Sequence, residues 1–138
     1  MKVFVDTGAW LAFYDRNDQH HESARRITEH LKAERANLVL SEFVLAESVT
    51  LIRFRIGHPW AVRFGQVVLE SRFAELLSVD EPTRRRAWDI FRRYEDKEFS
   101  FTDCTSFALM EQLGLKTAFA FDRHFEQYGF ALVQPLDS

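Results

Sequence analysis

The sequence predicts an α/β fold of three layers, in which a mostly parallel sheet of four to five strands lies between two layers of helices. Short apolar runs rich in β-forming residues alternate along the chain with longer segments of helical periodicity. Strands that alternate with helices are joined by right-handed crossovers. Such connections place parallel strands side by side and cover both faces of the sheet with helices.

The first half of the chain predicts two strands and four helical segments. Residues 3–5 form an apolar run that ends at Asp6, and residues 38–40 form a second run that ends at Ser41. Ser41 stands where an N-cap is expected, because its hydroxyl can accept a hydrogen bond from a backbone N–H of the next helix. Gly57 is placed to end that helix. The predicted helical segments are residues 7–15, as a short helix or a turn, and residues 21–35, 42–56 and 59–74.

The second half predicts two further helices and three strands, at residues 76–79, 117–121 and 131–133. Pro82 fits the first turn of a helix that extends to about Tyr94, because its missing N–H has no intrahelical partner there. Thr102 is predicted to cap a helix over residues 103–113. No linker, repeat or block of one charge marks a second unit, so residues 1–138 are predicted to form a single domain.

Composition excludes several classes of protein. The chain has 138 residues, of which 46% are hydrophobic and 28% charged, as expected for one globular domain with a real core. The single cysteine, Cys104, excludes an internal disulfide and favours a reducing compartment, so a cytoplasmic location is expected. No run approaches the roughly eighteen apolar residues of a membrane span. The net charge of −3 argues mildly against nucleic-acid binding, which depends more on where the charges lie.

Two of the predicted strands run directly into an aspartate. Asp6 follows the apolar run at residues 3–5, and Asp122 follows the strand at residues 117–121. The carboxyl ends of parallel strands lie at one edge of the sheet, where open α/β folds bind their ligands. Either aspartate alone is explained by a turn or a helix cap. The pair favours a functional site.

Two further carboxylates are expected at the same edge. Asp103 lies in the first turn of its predicted helix, where a negative charge also stabilises the helix itself. Glu47 stands four residues after Phe43 and four before Leu51, so it shares a helix face with apolar residues. A glutamate in such surroundings needs a partner.

Four carboxylates at one edge repel one another and raise the pKa of one or more of them. Hard divalent cations such as Mg²⁺ or Mn²⁺ relieve this repulsion, since they prefer oxygen ligands. Such a centre activates water and stabilises a phosphodiester during in-line attack. The four acids therefore predict phosphodiester hydrolysis without a protein nucleophile.

Four short segments carry these acids in the order of a known family. They are residues 3–10, 41–48, 100–106 and 119–125. Together they resemble the motifs of PIN-domain proteins of the VapC toxin type, which belong to bacterial toxin–antitoxin pairs. The similarity spans essentially the whole chain. One departure is Gly8, at a position where serine is frequent in the family.

The resemblance implies a PIN-like α/β/α domain with Mg²⁺- or Mn²⁺-dependent endoribonuclease activity. It implies that Asp6 and Asp103 are the most direct metal ligands, and that Glu47 and Asp122 complete the site directly or through water. All four are thereby candidate catalytic and metal-binding residues. The resemblance also implies a homodimer and inhibition by a small cognate antitoxin protein.

Other residues are candidate contacts to the RNA substrate. Thr7, Ser41 and Thr102 resemble hydroxyl residues that line the family's pocket. Arg123, with His124 after it, directly follows an acid of the site and is a candidate contact, although a structural loop explains this pair equally well. The arginines at residues 84–86, 92 and 93 could contact RNA backbone. A solvated helix face is the favoured explanation for that run.

Competing functions stay open at this point. A haloacid-dehalogenase-type phosphatase would need a second aspartate two residues after Asp6, where the chain has Gly8. A dinucleotide-binding enzyme would need a glycine-rich motif after the first strand, and Gly8 stands alone. A non-catalytic PIN-like module that binds RNA or protein is the main alternative, and the intact acidic set argues against it. A DNA-directed nuclease also stays compatible, because this chemistry needs no 2′-hydroxyl.

Overall fold

Five short apolar segments form one sheet within residues 1–134, the part of the chain that the computed structural model describes. The strands are β1 (Lys2–Val5), β2 (Asn37–Ser41), β3 (Ala74–Leu77), β4 (Thr117–Phe119) and β5 (Ala131–Leu132). Their order across the sheet is β3-β2-β1-β4-β5, and every neighbouring pair is parallel. The predicted α/β class with a parallel sheet is confirmed.

Helices connect the strands and cover the sheet. Those of residues 1–134 are α1 (Thr7–Tyr14), α2 (His21–Ala33), α3 (Glu42–Ile56), α4 (His58–Glu70), α5 (Glu81–Arg93), α6 (Phe101–Leu113) and α7 (His124–Tyr128). Right-handed crossovers place α1 to α4 on one face and α5 to α7 on the other. The packing agrees, since α1 contacts α2 and α3, α3 contacts α4, and α6 contacts α5 and α7. Among these helices none is long and apolar enough to cross a membrane.

The central strand β1 is where the sheet changes its direction of growth. The chain adds β2 and β3 on one side of it and then returns to add β4 and β5 on the other. Phe4 of β1 is fully buried and pairs with Val39 on one side and Ala118 on the other. Such a switch point leaves a crevice beyond the carboxyl ends of β1 and β4, where α/β folds bind ligands. Asp6 lies at this crevice, and its backbone N–H donates to the carbonyl of Phe119 at 3.0 Å.

The third strand lies two residues earlier than the predicted range of 76–79. Backbone pairing explains the difference, because Ala74 pairs with Leu38 and Leu77 pairs with Ser41. Beyond Leu77 the ladder ends, and the N–H of Val79 donates instead to the Glu42 carboxylate at 2.9 Å. The preceding helix is correspondingly shorter than predicted and ends at residue 70.

The predicted cap of α6 at Thr102 is wrong, and the N-cap is Ser100. The Ser100 hydroxyl accepts a hydrogen bond from the N–H of Asp103, and Asp103 Oδ2 accepts one from the N–H of Ser100, both at 3.0 Å. This reciprocal arrangement is a capping box. The other predicted cap is confirmed, since the Ser41 hydroxyl accepts from the N–H of Val44 at 3.1 Å and begins α3 at the predicted residue.

Candidate metal centre

Asp6 is a buried acid at the end of the central strand, only 4% exposed. It is the N-cap residue of α1, yet its side chain makes no capping hydrogen bond. Burial raises the pKa of this carboxyl well above its usual value, and the charges of Asp103, Asp122 and Glu47 raise it further, while a hydrogen bond from the Thr7 backbone offsets part of the rise. Since Coulomb repulsion weakens with distance, Asp103, Asp122 and Glu47 lie near enough to Asp6 for their charges to act on it.

Asp103 is held in one orientation by two hydrogen bonds. Its Oδ2 atom accepts from the N–H of Ser100 at 3.0 Å, and His124 Nδ1 lies 2.8 Å from the same oxygen. An ionised acceptor requires the tautomer in which Nδ1 donates. Burial raises the pKa of Asp103 and the charge of Asp122 adds to the rise, whereas the bonds from Ser100 and His124 lower it. Both bonds fall on Oδ2, so Oδ1 is the oxygen available to a cation.

Asp122 and His124 face Asp103 from the segment after β4. The side chain of Asp122 is 46% exposed, and its Oδ1 accepts from the N–H of His124 at 3.0 Å. This local bond turns the chain so that the His124 ring reaches back toward Asp103. One potential ligand atom from each of Asp103, Asp122 and His124 lies within 4.8 Å of the others. The three groups are therefore close enough to share one cation.

His124 is a site residue that the sequence indicated only together with Arg123, as a possible contact to substrate. Arg123 forms an ion pair with Glu126 at 2.8 Å on the surface of α7, so a contact to substrate stays a prediction for it. The signal for His124 is its position two residues after Asp122, whose side chain can bind its backbone N–H. The bond to Asp103 spans 21 residues, and no local pattern predicts it.

Glu47 lies at the border of the acidic cluster. It is half-buried in the second turn of α3, and its charge has the smallest effect of the three acids that raise the pKa of Asp6. The predicted approach of this helix to the crevice is supported. A direct bond from Glu47 to a metal stays a prediction.

The three predicted hydroxyl contacts occupy different positions. The Ser41 hydroxyl is fully buried and caps α3. Thr102 is half-buried, and its backbone carbonyl accepts hydrogen bonds from the side chains of Thr105 and Ser106. Thr7 is adjacent to Asp6, and its buried hydroxyl has no hydrogen-bond partner within residues 1–134. A buried hydroxyl without a hydrogen-bond partner lowers the stability of the fold. Thr7 is therefore the best placed of the three to bind an oxygen in the crevice.

The side chains present at this edge fit a hard divalent cation. The group within 4.8 Å offers carboxylate oxygens from Asp103 and Asp122 and an imidazole from His124, and the charges of Asp103, Asp122 and Glu47 act on the buried carboxyl of Asp6. Oxygen donors with one imidazole are ligands that Mg²⁺ and Mn²⁺ accept. The repulsion that raises the pKa of Asp6 is the interaction that a cation would relieve.

A wide groove of the described residues lies away from the acids. It encloses about 860 Å³ between α1, α2 and α4 and is lined by side chains such as Tyr14, Arg25, Trp60 and Phe73. None of the four acids borders it. We assign the candidate site to the acidic crevice, because cavity size says nothing about the chemistry of the lining groups.

Comparison with known proteins identifies the family. Residues 3–131 match the PIN domain family. The chain is a PIN domain. It is 37% identical to the 23S rRNA-specific endonuclease VapC20 of Mycobacterium tuberculosis, over 96% of this chain and 98% of that protein. It is also 30% identical to a VapC ribonuclease of Archaeoglobus fulgidus, over 84% of this chain and 74% of that protein.

Solved structures agree with this assignment. The crystal structure of VapC20, described as a Sarcin-Ricin loop cleaving toxin, superposes with a TM-score of 0.86 at 34% identity and covers 96% of this PIN domain and 99% of that chain. VapBC2 from Rickettsia felis, bound to a promoter DNA fragment, shares the fold at a TM-score of 0.73 and 14% identity, over 96% of this chain and 98% of that one. The sequence-based resemblance to VapC-type PIN domains is confirmed, and the ribonuclease names of these relatives support the predicted function over a non-catalytic module.

Proposed function

We propose that this PIN domain is a metal-dependent endoribonuclease that hydrolyses RNA phosphodiester bonds at the carboxyl edge of its sheet. The observation that carries the proposal is the group of Asp103, Asp122 and His124, whose potential ligand atoms lie within 4.8 Å of one another beside the buried carboxyl of Asp6. A protein that buries like charges together loses stability unless a counter-charge binds there. A divalent cation and the phosphate that it attracts explain why these acids are assembled.

Mg²⁺ or Mn²⁺ is the proposed cofactor. Asp6 and Asp103, through its Oδ1 atom, would bind it directly, and Glu47 and Asp122 would complete the site directly or through water. When bound, the cation supplies positive charge for the scissile phosphate and activates water for attack on phosphorus. His124 would keep Asp103 Oδ1 directed at the cation by holding Oδ2.

The hydroxyl groups and Arg123 are proposed to act on the substrate. The unpartnered Thr7 hydroxyl is available to donate a hydrogen bond to a phosphate oxygen in the crevice. Thr102 lies beside Asp103 at the start of α6, and Ser41 stands at the start of α3. Arg123 is exposed next to Asp122 and would attract RNA backbone near the site.

We propose ribosomal RNA as the target, of the kind that the VapC20 name specifies. Identity of 37% over nearly the whole length of both chains supports a shared class of substrate. Intact ribosomes and purified transfer RNA, each incubated with the protein, would separate this target from the alternatives. Primer extension on 23S rRNA would locate the cut, and cleavage confined to transfer RNA would contradict the proposal.

A cognate antitoxin, a homodimer and a cytoplasmic location are proposed with this function, as the VapC resemblance implies. Co-expression with the product of any short reading frame beside the gene tests the first of these partners. Loss of RNA cleavage in a purified complex is the expected result. Sedimentation of the protein alone measures the mass of the assembly.

RNA cleavage with and without metal tests the enzyme itself. A pool of structured RNAs is incubated with wild-type protein in Mg²⁺ or Mn²⁺, then in EDTA, beside Asp6→Asn. The matched control is Asp96→Asn, the same chemical change at an exposed surface position. We expect cleavage that needs metal, persists in Asp96→Asn and disappears in Asp6→Asn. Equal activity of Asp6→Asn would refute the proposal, and a folded protein that binds metal but cleaves no RNA would favour the binding module.

A further inference from the structure

Asp122 lies in a segment that belongs to neither a strand nor a helix. The strand β4 ends at Phe119 and α7 begins at His124, so residues 120–123 cross the carboxyl edge outside the sheet. The bond that Asp122 accepts from the N–H of His124 spans two residues, so it shapes this segment without attaching it to the rest of the domain. The position of Asp122 among the other acids therefore depends on contacts that its neighbours make.

Phe121, the residue before Asp122, packs against two rings. The imidazole of His20 stacks on it, with ring centroids 4.5 Å apart and planes inclined by 0°. Phe119 meets it edge-on, with centroids 5.7 Å apart and planes inclined by 72°. Phe119 belongs to β4 itself, whereas His20 comes from the connection between α1 and α2. The stack with His20 is thus a contact that joins this segment to a distant part of the chain.

The connection between α1 and α2 gives His20 a fixed position. Its backbone N–H donates to Asp18 Oδ1 at 2.8 Å, and the other carboxylate oxygen of Asp18 lies 3.9 Å from Arg55 of α3. The next residue, His21, places its Nδ1 atom 2.8 Å from the carbonyl oxygen of Ala12 in α1. These bonds attach the turn to two neighbouring helices, so the His20 ring is a firm support for what packs on it.

Hydrogen bonding does not explain the orientation of the His20 ring. His20 is the N-cap residue of α2, yet its side chain makes no capping bond, and its ring nitrogens make no hydrogen bond within residues 1–134. The contact with Phe121 joins two flat faces, and a phenyl ring could make it equally well. The shape of the ring, and not its polar atoms, is therefore the property that this contact uses.

We propose that His20 is a positioning residue for Asp122, because its ring holds Phe121 and Phe121 sets the direction of the carboxylate that follows. The inference rests on the proposed function and adds a support for the metal site that comes from the connection between α1 and α2. One aromatic pair contributes a modest free energy. Without the stack, Asp122 should occupy its place for a smaller fraction of the time, and the site should be weakened but not abolished.

Hydrogen exchange of the His124 amide tests the inference without metal or RNA. This amide donates to Asp122 Oδ1, so its exchange requires that bond to open. In EDTA we expect His20→Ala to speed the exchange about fivefold, the size of the effect of one aromatic pair, and His20→Phe to restore the wild-type rate. The matched control is His30→Ala, the same change at a half-buried position in the last turn of α2, which should leave the rate unchanged.

Mn²⁺ binding and RNA cleavage measure the consequence for the site. His20→Ala should weaken Mn²⁺ binding about fivefold in calorimetry, and His20→Phe should recover it. At one subsaturating Mn²⁺ concentration, His20→Ala should lower kcat by about the same factor and leave KM for RNA nearly constant. Phe121→Ala should cause at least the same losses, and His20→Ala added to it should add little, because both changes remove one contact.

Thermal unfolding of each variant verifies that the fold is retained, and His20→Leu, which fills the space without a flat ring, replaces His20→Ala if that variant does not fold. Unchanged exchange of the His124 amide in the folded variant would overturn the inference. A His20→Phe variant that behaves like His20→Ala would do the same, since the ring nitrogens would then be the essential atoms. A higher KM for RNA with unchanged Mn²⁺ affinity would reassign His20 to a contact with substrate.

The exchange measurement separates this inference from the proposed function. Faster exchange in His20→Ala, in a protein that cleaves no RNA, would refute the nuclease and keep the stack of His20 and Phe121 as the support of Asp122. Cleavage by the wild-type protein, with exchange and Mn²⁺ affinity unchanged in His20→Ala, would keep the nuclease and refute the positioning role.

Discussion

Two of the helices that begin at the carboxyl edge of the sheet, α3 and α6, hold their acids in different ways. In α6 the acid lies in the first turn, where Ser100 and His124 both bind Asp103 Oδ2. In α3 the acid lies in the second turn, and Glu47 makes no side-chain hydrogen bond within residues 1–134. One carboxylate is therefore held in place before any cation binds, and the other is able to adjust. The difference indicates that Asp103 fixes the position of the cation and Glu47 adapts to it.

The largest expected effect on activity comes from removing the charge of Asp103 or of Glu47. We expect Asp103→Asn to lower kcat/KM for RNA by more than about 100-fold. Removing a metal ligand should reduce activity more than removing a residue that only supports a ligand. Glu47→Gln should lower it by only about tenfold, since a metal-bound water can replace an adaptable ligand. Steady-state cleavage in Mn²⁺ and calorimetric Mn²⁺ binding measure both. Equal losses would show that the two helices contribute equally.

A smaller effect should follow from releasing Asp103 without changing it. His124→Ala removes the donor to Oδ2 and should weaken Mn²⁺ binding by about tenfold. His124→Asn retains a donor close to the position of Nδ1 and should recover most of the affinity. If Asn binds Mn²⁺ as weakly as Ala, His124 is itself a metal ligand and not a positioning residue.

The negative charges of Asp103 on α6 and Glu47 on α3 act on Asp6 and should make the metal-free protein less stable at neutral pH. Burial raises the pKa of Asp6, and neighbouring acids add to the rise, so the folded state favours the protonated form. The contribution of Asp6 to stability is then complete below its unfolded pKa of about 3.9 and is lost as the pH rises through the folded value. In EDTA at pH 7, Asp6→Asn should raise the unfolding temperature while abolishing activity.

Thermal unfolding between pH 4 and pH 8 measures that dependence. The gain from Asp6→Asn should shrink toward pH 4 in EDTA, and saturating Mn²⁺ should favour the wild-type protein. Asp96→Asn serves as the control, since its side chain is exposed. If the wild-type protein is as stable as Asp6→Asn in EDTA at pH 7, the acids around Asp6 do not destabilise the metal-free protein.

The smallest effects should distinguish the two serine caps. Ser41→Ala and Ser100→Ala each remove a hydroxyl acceptor at a helix start, and each should lower the free energy of unfolding by about 1 kcal/mol. Only Ser100→Ala should also weaken Mn²⁺ binding, because the Ser100 cap holds the backbone of Asp103. Urea unfolding and calorimetry provide the two measurements. Equal Mn²⁺ affinity in both variants would show that the capping box does not contribute to metal binding.

Local sequence patterns were sufficient for the fold class and for the position of Asp6. The run at residues 3–5 places Asp6 directly after β1, whereas the predicted strand over residues 117–121 is too long, because β4 ends at Phe119 and Asp122 lies three residues beyond it. The start of α3 after Ser41 and its end before Gly57 follow from capping preferences. The phase of Glu47 on that helix follows from its spacing to Phe43 and Leu51. These features depend on interactions within a few residues of one another.

Only the tertiary structure decided the details that join distant segments. The third strand ends at Leu77 because its ladder with β2 ends there, and the Glu42 carboxylate that binds the N–H of Val79 lies 37 residues away. His124 enters the site through a bond to Asp103 across 21 residues. The rings of Phe43, Trp88 and Phe101 likewise come from three helices and meet only in the folded protein. Caps and periodicity are local and can be read from the chain, whereas register and side-chain contacts between elements arise only when the sheet brings them together.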